Sequence, residues 1–507
     1  MQQASRFLAQ TTNGGTRAEI GQLCEIGIEA WLARQFAMLR GQSHWSWMKS
    51  RGFQDDEANA RGGKASAGWD ASIWRQLITA PDQLRQRVAL ALLDFMVVSI
   101  DGLDLRWSQF AMAAYMDLLL DHALGDFRKL LGAITTNAAM GSFLTFLGSS
   151  KANGKGALPD ENYAREFLQL FTIGLYELNQ DGTPRRDGNG LPVETYSQED
   201  ITQLARVFTG FRLASEDLTT PDPLRQPLII DAPANEAEPS AFLGRQVQGG
   251  GMQAVDAALD IIFNHANVPP FVSKSLIQRL VTSNPSPGYV ERVASVFCDN
   301  GHGARGDLGA VVYAILVDPE ARSDLALAAP HAGKLREPVQ RLTNWARAFA
   351  VSSTSGSWEI GDRSSAAKGI GQSPGRSPSV FNFFRPGYVP PNSELAMRGL
   401  VAPEFQITDE QSIIGYTNQI YGLINNGAAD GDVLANYAPL LAKAADAAAL
   451  VAEVDLVLAA GQLSPASVQI IQSAVEQINP EREGGLENRV KATILLTMSS
   501  PDYLILK

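Results

Sequence analysis

Residues 160–211 read DENYAREFLQLFTIGLYELNQDGTPRRDGNGLPVETYSQEDITQLARVFTGF. Two amphipathic segments flank a loop rich in Asp, Asn and Gly. At about 100° per residue, Asn162, Arg165, Glu166, Gln169, Thr172, Tyr176 and Glu177 share one arc of a helix. Phe167, Leu168, Leu170, Phe171 and Leu175 fall opposite, the split expected of a helix that buries its apolar side. The polar arc holds no lysine. Its groups suit fixed hydrogen bonds, and Glu166 and Gln169 are i, i+3 neighbours.

Two readings of this arc stand side by side. In one, it is a polar network holding the helix to its neighbour. In the other, Arg165 and Glu166 are catalytic groups of a pocket, with Asn162, Gln169, Thr172 and Tyr176 as ligand-binding residues. One arginine and one carboxylate suffice for anion binding and acid/base work. The loop that follows places oxygen-bearing Glu177, Asn179 and Asp181 at alternate positions before Gly182, with Asp187 further on. That pattern partly matches a calcium loop, but the twelfth position, which wants a bidentate carboxylate, is Gly188. Tight turns at Asp181-Gly182 and Asn189-Gly190 are the other reading. Ser197-Gln-Glu-Asp200 caps the second helix.

Outward from this stretch the chain reads as mainly α, a large multi-helix globular fold with long irregular loops and at most a small β-hairpin. A capping box at Thr16–Glu19 opens a helix through Cys24, and Ile28–Met38 forms another. Cys24 lies in an apolar pattern and reads as buried; a Cys24–Cys298 bridge stays open. Residues 41–70 read as a loop whose Trp45, Trp47 and Trp69, with Trp74 beyond, either anchor it to the core or offer stacking platforms. Residues 84–99 form a strongly apolar, central helix. Residues 212–250 lose the helical period and hold a short strand at Leu228–Ile230. Further helices are expected at 252–265, 270–281, 288–299, 307–317 and 335–350. Residues 351–380 read as a long surface loop. The resulting division is a helical core over 1–350 with the insert 212–250, a loop-rich connector with an aromatic segment over 351–405, and alanine-rich C-terminal helices over 406–507 packed on the core.

Composition removes several classes. The 507 residues carry 42 basic and 54 acidic side chains, a formal charge of −12, so no basic surplus exists to neutralise nucleic-acid phosphates. The five histidines, His44, His122, His265, His302 and His331, lack metal-ligand spacing, and no cofactor other than the calcium candidate is evident. The most apolar run, Val88–Ile100, is broken by Asp94, so no transmembrane segment is expected. The start MQQASRFLAQ has no export-signal pattern. Gly371-Gln-Ser373-Pro-Gly375 matches a nucleophile elbow by letter, but Pro374 lacks the N–H that would stabilise an oxyanion. Gly249–Gly251 before a helix is a candidate anion site.

Several segments together resemble one bacterial family. They are ASRFLAQ, QLRQRVALAL, LGDFRKLL, PDENYAREFLQLFTIGLYELNQDGT, GKLREPVQR and SVFNFFRPGY…VAPEFQ, in that order along nearly the whole chain. The family is the one catalogued as domain of unknown function 1800. The resemblance implies no settled activity. It implies export to the periplasm or cell surface, and a sulfatase-like (DUF1501-type) partner encoded nearby. The chain departs from the pattern by lacking the export signal. It also carries Asn235, Glu236 and Ser240 where many relatives have a His-Asp pair and a Lys. Two functions follow. One is an extracytoplasmic hydrolase-like or accessory enzyme acting with that partner on an anionic or glycan substrate. The other is a non-catalytic binding or surface-assembly protein using the tryptophan loop and the aromatic segment 381–388.

Overall fold

The computed structural model describes residues 1–61, 65–153 and 156–507. Helix α1 (Gln2–Thr11) leads into α2 (Arg17–Ala37), whose start is fixed by the Thr16 box. The Glu19 N–H donates to Thr16 Oγ1 at 3.0 Å, and the Thr16 N–H donates to Glu19 Oε2 at 2.7 Å. Gly27 sits at φ 80° and breaks α2 in two, where the sequence divides it. Leu23 takes the buried position and Cys24 faces out. Cys24 is therefore not the buried residue its apolar neighbours suggest, and both cysteines are free and exposed.

The segment expected as a tryptophan-bearing loop contains α3 (His44–Ser50) and runs into α4 (Trp69–Thr79). Trp45 and Trp47 are 5% and 6% exposed, and Trp69 and Trp74 are fully buried. The indole N–H of Trp69 donates to the Pro374 carbonyl and that of Trp74 to the Gly361 carbonyl. The four rings are core anchors. The stacking-platform reading is corrected, because a ring with no free face offers nothing to a ligand.

Helix α5 (Gln83–Leu93) is buried at every position except Arg85 and packs on α6 (Ser108–His122), as its apolar sequence requires. Helices α7 (Phe127–Thr135) and α8 (Ala138–Phe143) complete this layer. The signature begins at α9 (Asn162–Glu166), which passes into a π turn at Phe167–Thr172. Thr172 Oγ1 donates to the Phe167 carbonyl at 2.6 Å, five residues back. Gly174, at φ 71°, then reverses the chain; a Cβ there would lie 2.8 Å from the Phe271 ring. The inserted π residue and this reversal end the helix early. Leu175, placed by the wheel on the apolar face, is 48% exposed. Tyr176 and Glu177 belong to a narrow meander over 175–195, tied by bonds such as Glu177 N–H to the Val193 carbonyl at 2.8 Å. Both expected tight turns are present, with Gly182 and Gly190 at positive φ. Helix α10 (Gln198–Val207) follows its Ser197/Asp200 box and packs on α9.

Helices α11 (Gly251–Phe263), α12 (Val268–Leu280), α13 (Pro287–Cys298) and α14 (Leu308–Val317) form the next layer, with α12 against α5. The helix Pro338–Ala348 is buried from Pro338 through Arg347. The segment 351–380 is not a surface loop throughout. Residues 369–375 are fully buried, and their polar groups are claimed from the core. The Val339 N–H donates to Gln372 Oε1, and the Ile100 N–H donates to the Gly375 carbonyl. Buried loop backbone survives only with such partners. Among the described residues, strands occur as four two-stranded pairs. The pair 240–242 with 245–247 is a local hairpin; 334–335 pairs with 505–506, and 352–353 with 433–434. One core cluster runs from Ala4 to Tyr503. The fold is mainly α, and among the described residues no helix is long and apolar enough to cross a membrane.

Candidate functional site

Arg165 and Glu166 point to different surroundings. Arg165 Nη2 is 3.0 Å from Glu161 Oε2, and the same guanidinium donates to Gln198 Oε1 at 3.3 Å. Gln198 Nε2 and Thr202 Oγ1 both donate to the Glu161 carboxylate, at 2.8 and 2.7 Å. This network, half exposed, ties α9 to α10. Glu166 is 7% exposed, and its Oε2 has no hydrogen-bond partner. The Tyr196 hydroxyl nearby has none either. Burial raises the Glu166 carboxyl above its ordinary range, opposed by Arg165. Burial, then the Glu166 charge, pushes the Tyr196 hydroxyl up to about 12. Asn162 Nδ2 donates to Thr145 Oγ1 at 3.3 Å, and Thr172 is buried and spent on its own π turn.

The four oxygen residues of the meander are engaged locally. Glu177 pairs with Arg185 at 2.6 Å, and Asn179 Nδ2 donates to Thr183 Oγ1 at 3.0 Å. Asp181 Oδ1 accepts from the Thr183 hydroxyl and N–H, which hold its carboxyl below the usual range. Asp187 Oδ1 accepts from the Asn189 and Leu191 N–H groups, both at 2.9 Å. The alternating pattern thus expresses turn chemistry. Among the described residues no three His, Cys, Asp or Glu side chains gather as a metal-ion site. At the start of α11, Asn235 Oδ1 accepts from the Gly251 N–H at 2.6 Å, so a side chain fills the candidate anion position. Glu236 pairs with Arg206 at 3.4 Å, and Ser240 is buried at the hairpin. Ser373 is buried and accepts from the Arg363 N–H.

The signature does line a cleft, at its other end. About 780 Å³ of open space lies between Gln169–Tyr176, α12 and residues 380–401. Gln169, Tyr176, Phe271, Phe381 and Leu400 are among its lining residues. Lys274 and Gln278 of α12 also line it, Lys274 Nζ donating to the Gly182 carbonyl at 3.4 Å and Gln278 Nε2 to the Ser283 carbonyl at 2.9 Å; burial lowers the Lys274 ammonium from its ordinary range. Arg165 and Glu166 are not part of this lining.

Asp94 and Arg279 also line the cleft, although both are buried. Asp94 stands at the C-terminus of α5 and Arg279 in the last turn of α12, which brings them together where the two helices pack. The Arg279 guanidinium stacks on Phe384, 4.7 Å from the ring centroid. Its Nη1 lies 3.8 Å from Asp94 Oδ2, too far for a hydrogen bond. Nη1, Nη2 and Oδ2 are all buried without a partner, whereas Asp94 Oδ1 accepts from Asn382 Nδ2 at 2.6 Å. Behind them Lys334 Nζ sits 3.2 Å from Glu337 and 3.0 Å from Glu404, with no solvent exposure. The Arg279 carbonyl accepts from Lys334 Nζ and from Arg87 Nη2. Arg87, Arg279 and Lys334 therefore share one buried region with Asp94, Glu337 and Glu404, and Arg341 acts on Glu337 and Glu404 from its edge. A water-sized space of about 10 Å³ adjoins both Asp94 and Glu337.

This electrostatic arrangement pushes two carboxyls apart. Burial, then Glu337, raises Asp94 to about 7, against the pull of Arg279, Lys334 and Arg87. Burial would raise Glu337 too, but Lys334, Arg279 and Arg87 outweigh it and hold it low. Such divergent pairs mark candidate proton-handling sites. Sequence reasoning saw Asp94 only as an interruption of an apolar run. A charge inside an apolar run was the available signal.

A family model described as "Protein of unknown function (DUF1800)" matches residues 6–505. No curated protein and no solved structure matches the chain.

Proposed function

We propose that this chain, which belongs to the DUF1800 family, binds an extended ligand of glycan type in the cleft between the signature segment and α12. The observation that carries this reading is the mixed lining. Tyr176, Phe271 and Phe381 supply ring faces and edges for apolar sugar surfaces, while Gln169 supplies an amide for hydroxyls; the Asn284 amide is spent on the Val401 backbone and the Gln278 amide N–H on the Ser283 carbonyl. Lys274 and Arg279 add positive charge in a chain of net negative charge, which favours an acidic glycan. Hydrolase-like or accessory action on that glycan, outside the cytoplasm and beside a sulfatase-like partner, completes the proposal. Its support is the family resemblance together with the proton-handling carboxyl at the cleft floor.

Titration calorimetry with neutral and acidic oligosaccharides tests the reading. Wild type binds at least one of them, and Tyr176→Ala weakens that binding about tenfold, since the half-exposed ring is a wall and not a core element. Absence of binding across the set overturns it. The Glu161–Arg165–Gln198–Thr202 network favours a second, non-catalytic reading of the signature, in which its polar arc serves only to join α9 and α10.

A further inference from the structure

Arg279 is 4% exposed, yet neither of its terminal nitrogens meets an acceptor. An arginine in that state is costly unless something completes it. Its own carboxylate neighbour does not: Asp94 Oδ2 stops at 3.8 Å and is equally unpartnered. Asp94 is held in place from the other side, by Asn382 on Oδ1. Phe384 covers one face of the guanidinium and fixes its plane. The paired nitrogens of a guanidinium match the two coplanar oxygens of a carboxylate.

We propose that the floor of the cleft is a carboxylate-binding subsite, in which an acid group of the ligand seats on Arg279 Nη1 and Nη2 and Asp94 takes up one proton from solvent as it arrives. The proposal rests on the cleft being a ligand site and names the group that reaches its floor, a uronic acid in a glycan. The proton follows from charge. The groups facing Asp94 are Arg87 on its own helix, Arg279 on α12, Lys334 and Glu337 on the adjoining segment with Glu404 behind Lys334, and the neutral Asn382. Further out, Lys274 and His331 line the cleft. Arg279 already faces Asp94, so a further negative charge seated on it shares that cation with Asp94. Two carboxylates on one cation ionise unequally, and the already raised one protonates. The new O–H on Oδ2 then donates to the ligand oxygen, which also completes Oδ2.

The test uses the full chain and four probes: hexagalacturonate, its methyl ester, a sulfated hexasaccharide free of carboxylates, and benzoate. Titration in buffers of different ionisation enthalpy counts protons. The acid binds about tenfold or more tighter than its ester and tighter than the sulfated chain. At pH 8 close to one proton enters per ligand, and at pH 5.5 close to none. Asp94→Asn abolishes the uptake and tightens binding at pH 8, a gain that misfolding would not produce. Arg279→Lys keeps the charge but loses the fork, and the preference for acid over ester disappears. Equal binding of acid and ester overturns the subsite and leaves the glycan reading standing. Undiminished proton uptake in Asp94→Asn overturns the role of Asp94. Binding of benzoate with uptake, but of no oligosaccharide, retains the subsite and overturns the glycan reading. Binding of neither benzoate nor the acid overturns both.

Discussion

Lys334 Nζ and Glu404 Oε1 meet at 3.0 Å beneath the cleft, with 0% and 2% of their side chains exposed. Glu337 approaches the same nitrogen at 3.2 Å. Lys334→Met leaves two buried carboxylates without their shared cation. Breaking one partner of such a group costs about 3–5 kcal/mol. Urea unfolding of the variant reads that loss as a lower midpoint. A second substitution, Glu404→Gln, removes one orphaned charge and restores part of it. A Lys334→Met protein as stable as wild type would show that the cluster contributes nothing.

Asp94 makes stability depend on pH with a definite sign. Its folded value of about 7 lies above the ordinary 3.8, so its contribution is fully present below about 4 and is lost as pH rises through 7. Asp117, raised to about 6 mainly by burial, acts in the same direction. The difference between wild type and Asp94→Asn isolates Asp94. The variant gains stability relative to wild type from pH 5.5 to pH 8.5, measured as the change in denaturant midpoint. A constant difference across that range would remove Asp94 as the titrating group.

The two signature residues respond differently to substitution. Arg165 is part of a half-exposed ion pair, 39% and 30% exposed, and its removal costs less than about 1 kcal/mol. Glu166→Gln replaces a buried carboxylate that lacks a partner on Oε2. Because burial raises its folded pKa, the charged form is the unfavourable one, and the benefit of Gln grows as pH rises. Melting temperatures at pH 5 and pH 8 check both statements. A Glu166→Gln protein with its penalty largest at pH 8 would mean the carboxylate is stabilised by a partner.

Gly375 turns the buried 369–375 segment at φ 68°. A Cβ there would lie 2.7 Å from Trp69 Cζ2 and 2.8 Å from Met112 Cε. Gly375→Ala combines a left-handed backbone with overpacking, and should cost about 1–3 kcal/mol. Tryptophan fluorescence reports it directly, since the shift displaces Trp69. Unaltered stability and emission would show that the two side chains yield freely.

The sequence disclosed what local chemistry decides. The Thr16 and Ser197 capping boxes, the break at Gly27 and the turns at Gly182 and Gly190 all rest on residues a few positions apart. It misplaced Leu175 and Tyr176 because Phe167–Thr172 has an ordinary helical composition; the π turn is imposed by the surroundings, among them Phe271 packed against Gly174. It misread the tryptophan segment because exposure is a tertiary property. The cleft floor was illegible for the same reason. Asp94, Arg279, Lys334, Asn382 and Glu404 come from five separated segments, and no spacing rule unites them. Only the charge within the α5 apolar run and the GKLREP segment carried a trace of it.

The strand pairing of residues 334–335 with residues 505–506 sets an order of events. Lys334 lies in a two-residue ladder whose partner strand stands far along the chain. Until the two strands pair, the lysine lacks the backbone ladder that holds it in place. Proline and glycine flank this region, so little local structure pre-forms it. The cleft floor is therefore a late product of folding, dependent on a contact of very long sequence separation. A chain in which this ladder cannot pair would carry most of its helices, yet have an unfinished cleft floor.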